Sequence, residues 1–141
     1  MQRDPRTILH ICETCGHKGA KFASGEQTDG ARLLAAVERR IAALDEPLQI
    51  RVNRVSCMAN CEQGCTAALS TPGKWSYIVG RLTAAEADAL VDYAAIYAAS
   101  KSGVVMPSKR PPELKDVVIA RLPAHPDDLP ANETTANQVN L

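Results

Sequence analysis

A chain of 141 residues is long enough for one domain with a hydrophobic core and too short for two domains of ordinary size. Its 16 basic and 16 acidic side chains balance, which argues against a broad electrostatic footprint for nucleic acid or an anionic membrane. No run approaches the ~20 apolar residues of a membrane helix, and the first apolar run is too short for a signal peptide. We therefore expect a cytoplasmic protein that binds neither nucleic acid nor membrane.

The first half of the chain predicts a strand, a helix and a second strand. Residues 7–11 form a short β-branched, apolar run that is typical of a buried strand. Residues 29–44 carry apolar side chains at 3.6-residue intervals, which predicts an amphipathic helix with Asp29 as its N-cap. Residues 48–55 alternate between apolar and polar up to Asn53, which predicts a strand with a bulge or an end near that residue.

The second half predicts a hairpin and a second helix. Residues 66–71 and 74–81 are its two arms, joined at Pro72-Gly73, the sequence of a type II turn. The helix begins at Thr83, which forms a capping box with Glu86.

The resulting order, β-α-β-β-β-α, indicates an α/β domain over residues 7–100. Its first strand–helix–strand unit implies two parallel strands joined by a right-handed crossover. Residues 101–123 form a proline-rich C-terminal arm that we expect to pack on the domain, with residues 117–119 as an arm or edge strand. Residues 124–141 are polar and are predicted to be a disordered tail.

Five cysteines stand out, because cytoplasmic thiols are kept reduced and more often serve as ligands or redox groups than in disulfides. Their odd number also prevents complete pairing. Cys12 and Cys15 follow the first strand, and Cys57 and Cys61 follow the second. Because parallel strands end at the same edge of a sheet, we expect the two pairs to converge there. Cys65 is either a buried small side chain or an alternate ligand.

Three chemistries fit these spacings. A [2Fe–2S] cluster takes four thiolates, two per iron, and the two cysteine pairs supply them. Structural zinc also takes C-x₂₋₄-C pairs, but zinc ribbons usually separate their pairs by only ~15–20 residues. A dithiol oxidoreductase would use Cys12-x-x-Cys15 and would leave three cysteines without a role. No dinucleotide-binding, phosphate-binding or zinc-protease motif is present, so an enzyme is the less favoured interpretation.

Two other groups of residues invite a functional interpretation. His17 could replace a thiolate as a ligand, but a solvated loop residue is favoured, and His10 is expected to be a hydrogen-bonded strand residue. A basic run beside the arm could dock an acidic redox partner, but we favour its interpretation as an ordinary solvated surface. The run consists of Lys101, Lys109, Arg110 and Lys115.

Residues 56–64, Ser-Cys-Met-Ala-Asn-Cys-Glu-Gln-Gly, resemble the second cysteine loop of thioredoxin-like [2Fe–2S] ferredoxins, and the element order is similar to their fold. Residues 8–123 also resemble a family of small predicted metal-binding proteins. The marks of that family here are Cys12–Cys15, Cys57–Cys61, Gly73–Tyr77 and Ala120–Pro123. Its members often lie near cobalamin-biosynthesis genes, so the resemblance implies a role in cobalamin or cobalt metabolism.

We therefore predict a single α/β domain of the thioredoxin-like ferredoxin type with a C-terminal arm. It should bind a [2Fe–2S] cluster for one-electron transfer or cluster sensing, with zinc as the alternative metal, and should exchange electrons with a protein partner. The predicted ligands are Cys12, Cys15, Cys57 and Cys61, with Cys65 as the possible alternate.

Overall fold

The computed structural model describes residues 6–16, 19, 21–45, 48 and 50–128. Its strands and helices are β1 (Ile8–Cys12), α1 (Asp29–Ala42), β2 (Arg51–Val55), β3 (Ala67–Ser70), β4 (Ser76–Val79), α2 (Ala87–Ala99) and β5 (Val118–Leu122). None of the helices in this part of the chain has the length and apolar character needed to cross a membrane.

The five strands form one sheet in the order β2-β1-β3-β4-β5. β1 and β2 are parallel, and every other neighbouring pair is antiparallel. The parallel register runs from Ile8 opposite Arg51 to Cys12 opposite Val55. The predicted parallel unit is thus confirmed, and β1 and β2 end together at one edge of the sheet, which we call the cysteine edge.

Of the two outcomes predicted near Asn53, a bulge or a strand end, the bulge is not formed, because β2 keeps an unbroken register along β1, and the strand ends at Val55. β2 is an edge strand, and none of its five side chains is fully buried. A change in its alternation of apolar and polar residues therefore does not have to shift its register along β1. A register shift occurs instead between Ile78 and Val79, where β4 pairs with β5.

Helix α1 begins one residue earlier than its sequence signal suggested. The N-cap is Thr28 and not Asp29: the Thr28 hydroxyl accepts the backbone N–H of Ala31 at 3.0 Å. Asp29 lies in the first turn, where its carboxylate pairs with Arg32 at 3.2 Å. A hydroxyl and a carboxylate are both good caps, and the residue directly before the predicted cap carries such a hydroxyl. The buried face of α1 includes Leu33, Leu34 and Val37.

The turn and the capping box that were predicted in the second half of the chain are both confirmed. Gly73 has a φ of 80°, and the N–H of Lys74 donates to the carbonyl of Thr71 at 3.1 Å, as a type II turn requires. Thr83 and Glu86 form the reciprocal capping box just before α2. These bonds fix where the hairpin turns and where α2 starts.

The C-terminal arm adds the fifth strand. β5 pairs with β4, which confirms the edge strand expected near residues 117–119. Leu114 is fully buried in the core. Within the segment expected to be disordered, Ala124 is buried and Pro126–Asp128 forms a turn of 3₁₀ helix, whereas residues 129–141 lie outside the described part of the chain.

Candidate metal centre

Two loops at the cysteine edge carry all five cysteines. The first cysteine loop is residues 12–16, at the end of β1, and the second cysteine loop is residues 56–65, after β2. The two loops start side by side because Cys12 is in register with Val55. The convergence expected from the parallel strands is therefore present in the backbone.

Direct hydrogen bonds hold the two loops together. The N–H of Glu13 donates to the carbonyl of Val55 at 2.9 Å, and the Thr14 hydroxyl donates to the carbonyl of Ser56. The sulfur of Cys12 lies 3.9 Å from the same Ser56 oxygen. The first cysteine of one pair thus contacts the residue that precedes the first cysteine of the other.

Cys12 and Cys15 form a close, buried thiol pair. Their Sγ atoms are 2.9 Å apart, with the Cys15 thiol donating to the Cys12 sulfur. Only 0% and 5% of their surfaces are exposed. The separation exceeds the ~2.05 Å of a disulfide. It is shorter than the roughly 3.8 Å expected between two tetrahedral ligands that each lie ~2.3 Å from one metal ion. Metal binding therefore requires this pair to open by about 1 Å.

The two thiols of this pair differ in acidity. Burial raises the pKa of Cys12, but hydrogen bonds from the Cys15 thiol and from the backbone N–H groups of Met58 and Thr14 outweigh burial, so its pKa lies below the ordinary value. Burial, together with the hydrogen bond and charge of Cys12, raises the pKa of Cys15 to about 11, although the N–H and hydroxyl of Thr66 act in the opposite direction. Of the two thiols, Cys12 is therefore the one that ionises more readily.

Cys57 and Cys61 are both exposed on the second cysteine loop. The N–H of Ala59 donates to the Cys57 sulfur at 3.3 Å, with Ala59 at a φ of 56°. Within the described residues, no three Cys, His, Asp or Glu side chains lie close enough together to hold one metal ion. His17, the predicted substitute ligand, lies outside the described residues.

Cys65 differs from Cys57 and Cys61, on the same loop, because it is buried. Its exposed surface is 0%, and its Sγ lies 4.0 Å from the carbonyl oxygen of Cys15. Burial first, and then the negative charge of Asp29, raise its pKa to about 12. In this environment Cys65 is a neutral thiol packed against the first cysteine loop.

Gly64 permits a close approach of the two loops. A Cβ at this position would overlap the carbonyl oxygen of Gly16 and lie 3.2 Å from the Cβ of Cys15. Any larger residue would therefore push the first cysteine loop away from the second.

Sequence reasoning missed two side chains that brace the second cysteine loop. The amide nitrogen of Asn60 lies 3.1 Å from the hydroxyl oxygen of Thr66. Arg81, at a φ of 54°, donates its N–H to the carbonyl of Gln63 at 2.6 Å, and its guanidinium contacts the Gln63 side chain and the Asp116 carbonyl. A polar residue inside the C-x₃-C spacing was the available signal for Asn60, whereas nothing in the sequence pointed to Arg81.

The basic run lies on the C-terminal arm, away from the thiols in sequence. Its three lysines are exposed, but Arg110 is half-buried, with its guanidinium carbon 6.0 Å from the ring centroid of Tyr77. Arg110 thus contributes to packing of the arm as well as to surface charge.

Comparison with known proteins gives a family and a fold. A family described as "Protein of unknown function (DUF1636)" matches residues 9–124. The structure of a thioredoxin-like [2Fe–2S] ferredoxin from Aquifex aeolicus is similar to this chain, with a TM-score of 0.50 and 16% sequence identity over 82% of this chain and 91% of that one. At this identity the likeness concerns the fold, and it confirms the predicted thioredoxin-like ferredoxin architecture. No curated protein matches the chain.

Proposed function

We propose that this chain, which belongs to the DUF1636 family, is a cysteine-ligated metal-binding protein that holds a [2Fe–2S] cluster. The ligands would be Cys12, Cys15, Cys57 and Cys61. One observation carries the proposal: the loop that holds Cys57 is hydrogen-bonded to the loop that holds Cys12. The carbonyl oxygen of Ser56, the residue before Cys57, lies 3.9 Å from the sulfur of Cys12 and also accepts the hydroxyl of Thr14. The fold shared with a [2Fe–2S] ferredoxin supports it.

The chemistry of the donors fits such a cluster. Iron–sulfur clusters are held by thiolates whose sulfurs accept hydrogen bonds, and those bonds tune the reduction potential. One such bond is already formed, since the backbone N–H of Ala59 donates to the sulfur of Cys57 at 3.3 Å. The sulfur of Cys12 likewise accepts the Cys15 thiol.

The arrangement favours a two-iron cluster over a single zinc ion. Zinc ribbons usually separate their two cysteine pairs by only ~15–20 residues, whereas 41 residues lie between Cys15 and Cys57. A two-iron cluster takes one cysteine pair per iron, so the pairs need only be neighbours. Zinc remains the alternative that the metal assay must exclude.

The exposure of the cysteines suggests how the site would meet a partner. When bound, the cluster would supply one-electron redox chemistry. The chain itself would keep water away from the buried Cys12 and Cys15 and leave the side of Cys57 and Cys61 open to solvent. A redox protein would approach from this open side.

The short distance between the sulfurs of Cys12 and Cys15 supports a second function, that of a dithiol oxidoreductase. The burial of both sulfurs argues against it. Cys12 and Cys15 are close enough to exchange a disulfide, and Cys12 has the lowered pKa of an attacking thiol. However, the Cys12 thiolate would have to reach a sulfur of a partner's disulfide, and its surface is 0% exposed. We therefore place this function below metal binding.

A role in cobalamin or cobalt metabolism rests on the family resemblance alone, and we include it in the proposal as the physiological context to be tested. A cobalt-handling protein would be purified with cobalt, or would bind it in preference to zinc when both are supplied.

The deciding experiment is a visible absorption spectrum of anaerobically purified protein, with iron, zinc, cobalt and acid-labile sulfide assayed on the same sample. A brown protein with about two irons and two sulfides per chain would support the proposal. A colourless protein with one zinc would favour the alternative function, a zinc-binding structural or interaction module. A colourless protein without metal would leave the dithiol as the working hypothesis.

A further inference from the structure

The backbone that leaves β4 is bonded to both the second cysteine loop and the C-terminal arm. The N–H of Arg81 donates to the carbonyl of Gln63, on the loop, at 2.6 Å. The N–H of Gly80 donates to the carbonyl of Val117, on the arm, at 2.9 Å. Two neighbouring residues thus join segments that are more than fifty positions apart in the sequence.

The side chain of Arg81 makes a second link between the same two segments. Its Nη1 donates to the side-chain oxygen of Gln63, and its Nη2 donates to the backbone carbonyl of Asp116. A guanidinium can serve two acceptors at once because its N–H groups form a rigid, planar fork, and its charge strengthens both bonds. We call this pair of side-chain bonds the Arg81 clamp.

Gly80 allows the loop and the arm to pack against the same short stretch of backbone. A Cβ at this position would overlap the side chain of Ile119, on the arm, and would lie 2.7 Å from the carbonyl oxygen of Gln63, on the loop. The absence of a side chain at Gly80 therefore lets both segments come within reach of the clamp.

The backbone is strained on both sides of this contact. Of the described residues other than glycine, the two with a left-handed φ are Ala59, at 56°, and Arg81, at 54°. Ala59 lies inside the second cysteine loop, and Arg81 is hydrogen-bonded to that loop. Side chains larger than hydrogen disfavour this conformation, which persists where surrounding contacts enforce it and is common at functional sites.

The clamp acts on the turn that carries one of the proposed ligands. Gln63 is the last residue of the 3₁₀ turn Cys61–Gln63, and its N–H donates to the carbonyl of Asn60 at 3.0 Å. We propose that Arg81 is a positioning residue of the metal centre, which clamps the second cysteine loop to the C-terminal arm and thereby holds Cys61 in place for the metal. This inference rests on the proposed function, and it makes the arm a part of the metal centre.

Cys65 reports on the clamp in protein without a cluster. Its side chain is 0% exposed, and its N–H and carbonyl both bond to Leu82, the residue after Arg81, at 3.2 and 3.1 Å. Arg81→Ala removes the clamp but keeps the backbone bonds, so local opening of this segment should become easier. Iodoacetamide should then modify Cys65 about tenfold faster than in wild type, while Cys12 and Cys15 react at wild-type rates.

In loaded protein, the clamp should affect both the retention and the spectrum of the cluster. Loss of the cluster to EDTA should be about tenfold faster in Arg81→Ala, and the EPR spectrum of the reduced cluster should change because Cys61 is held differently. A general loss of stability would not alter the spectrum of clusters that remain bound. Gln63→Ala should act in the same direction, and its effect should be smaller in the Arg81→Ala background than alone.

Arg121→Ala is the matched control. Arg121 is an exposed arginine on β5, in the same arm, and its guanidinium carbon lies 4.5 Å from the ring centroid of Trp75. Its removal should leave Cys65 alkylation, cluster loss and the EPR spectrum at wild-type values.

Three results would overturn the proposal. The first is equal alkylation of Cys65 in wild type and Arg81→Ala, and the second is the same acceleration in Arg121→Ala. The third is an unchanged EPR spectrum in Arg81→Ala despite faster alkylation, which would reduce the clamp to a support of the fold. If wild-type protein binds no cluster, the proposed function fails and the positioning role fails with it, while the alkylation of Cys65 still decides whether Arg81 clamps the loop.

Discussion

The sulfur of Cys12 lies 3.9 Å from the carbonyl oxygen of Ser56, although the two residues are 44 positions apart in the sequence. The contact exists because β1 and β2 are parallel and end together. It places Cys57, the next residue, on a loop that is hydrogen-bonded to the buried thiol pair. Cys57 is therefore the residue at which the four-cysteine hypothesis is best tested.

Cys57→Ser should abolish the visible absorption of the cluster and reduce iron to well below two atoms per chain, because serine replaces one thiolate of the proposed pair. Iron, sulfide and absorbance of anaerobically purified protein check this. Cys65→Ser is the control, since Cys65 is buried against the first cysteine loop and is not needed by the four-ligand site. If Cys65→Ser loses the cluster while Cys57→Ser keeps it, the ligand assignment is wrong.

The convergence of the cysteine loops could be predicted because it depends only on strand order. Two apolar runs, a helix between them and a cysteine pair after each are local signals, and the parallel crossover follows from general topology. The hairpin turn at Gly73 and the capping box at Thr83 could be predicted from equally local sequence signals. Such features need no knowledge of tertiary packing.

The burial of each thiol could not be predicted in this way. Cys12 and Cys15 are buried while Cys57 and Cys61 are exposed, although both pairs follow strands. β1 lies inside the sheet and β2 at its edge, a difference that depends on the pairing of β1 with β3. The Asn60–Thr66 bond likewise depends on where a loop meets a strand end, which no sequence periodicity records.

Gly64→Ala should weaken both folding and cluster binding, because the added methyl group would overlap the Gly16 carbonyl and press on the side chain of Cys15. Overpacking of this kind usually costs about 1–3 kcal/mol. Urea unfolding of cluster-free protein measures the loss in free energy of unfolding, and iron content after reconstitution measures the effect on the site.

Gly25→Ala is the control for this prediction. Nothing lies within 4 Å of a Cβ at Gly25, but its φ of 84° is unfavourable for alanine, so the change should cost roughly 1 kcal/mol without touching the cysteine loops. Cluster loading should stay at the wild-type level. Equal loading of the two variants would mean that the contact at Gly64 does not position the thiols.

His10 should make stability fall in mild acid. The amide nitrogen of Asn53 lies 3.0 Å from Nδ1 of His10 and can only donate, so Nδ1 accepts and Nε2–H donates to the Ser70 hydroxyl at 2.8 Å. Burial lowers the pKa of His10. The unfolded chain therefore binds the proton more readily, and the free energy of unfolding should decrease as the pH falls below about 6.5 towards the folded-state pKa.

Urea unfolding of cluster-free protein between pH 7.5 and pH 5 would measure this effect, and His10→Gln should flatten the dependence. His125→Gln removes an imidazole that is 67% exposed and should leave the acid-induced loss as in wild type. A loss of stability that persists unchanged in His10→Gln would show that another group is responsible.

The five thiols should differ in their rates of alkylation because their exposure differs. In folded, cluster-free protein, iodoacetamide should modify the exposed Cys57 and Cys61 roughly tenfold or more faster than the buried cysteines, which react only after local opening. The buried group is Cys12, Cys15 and Cys65. In urea, all five should react at similar rates, which controls for intrinsic reactivity.

Mass spectrometry of tryptic peptides can follow these rates, although Cys57, Cys61 and Cys65 fall in the single peptide 55–74 and must be separated by fragment ions. Binding of the cluster should suppress alkylation of Cys57 and Cys61 specifically, since only a thiolate that is held by metal loses its nucleophilicity while remaining on the surface. Alkylation of these two residues at the same rate in brown and colourless protein would remove them from the ligand set. Protection of the exposed pair would link the open side of the site directly to the metal.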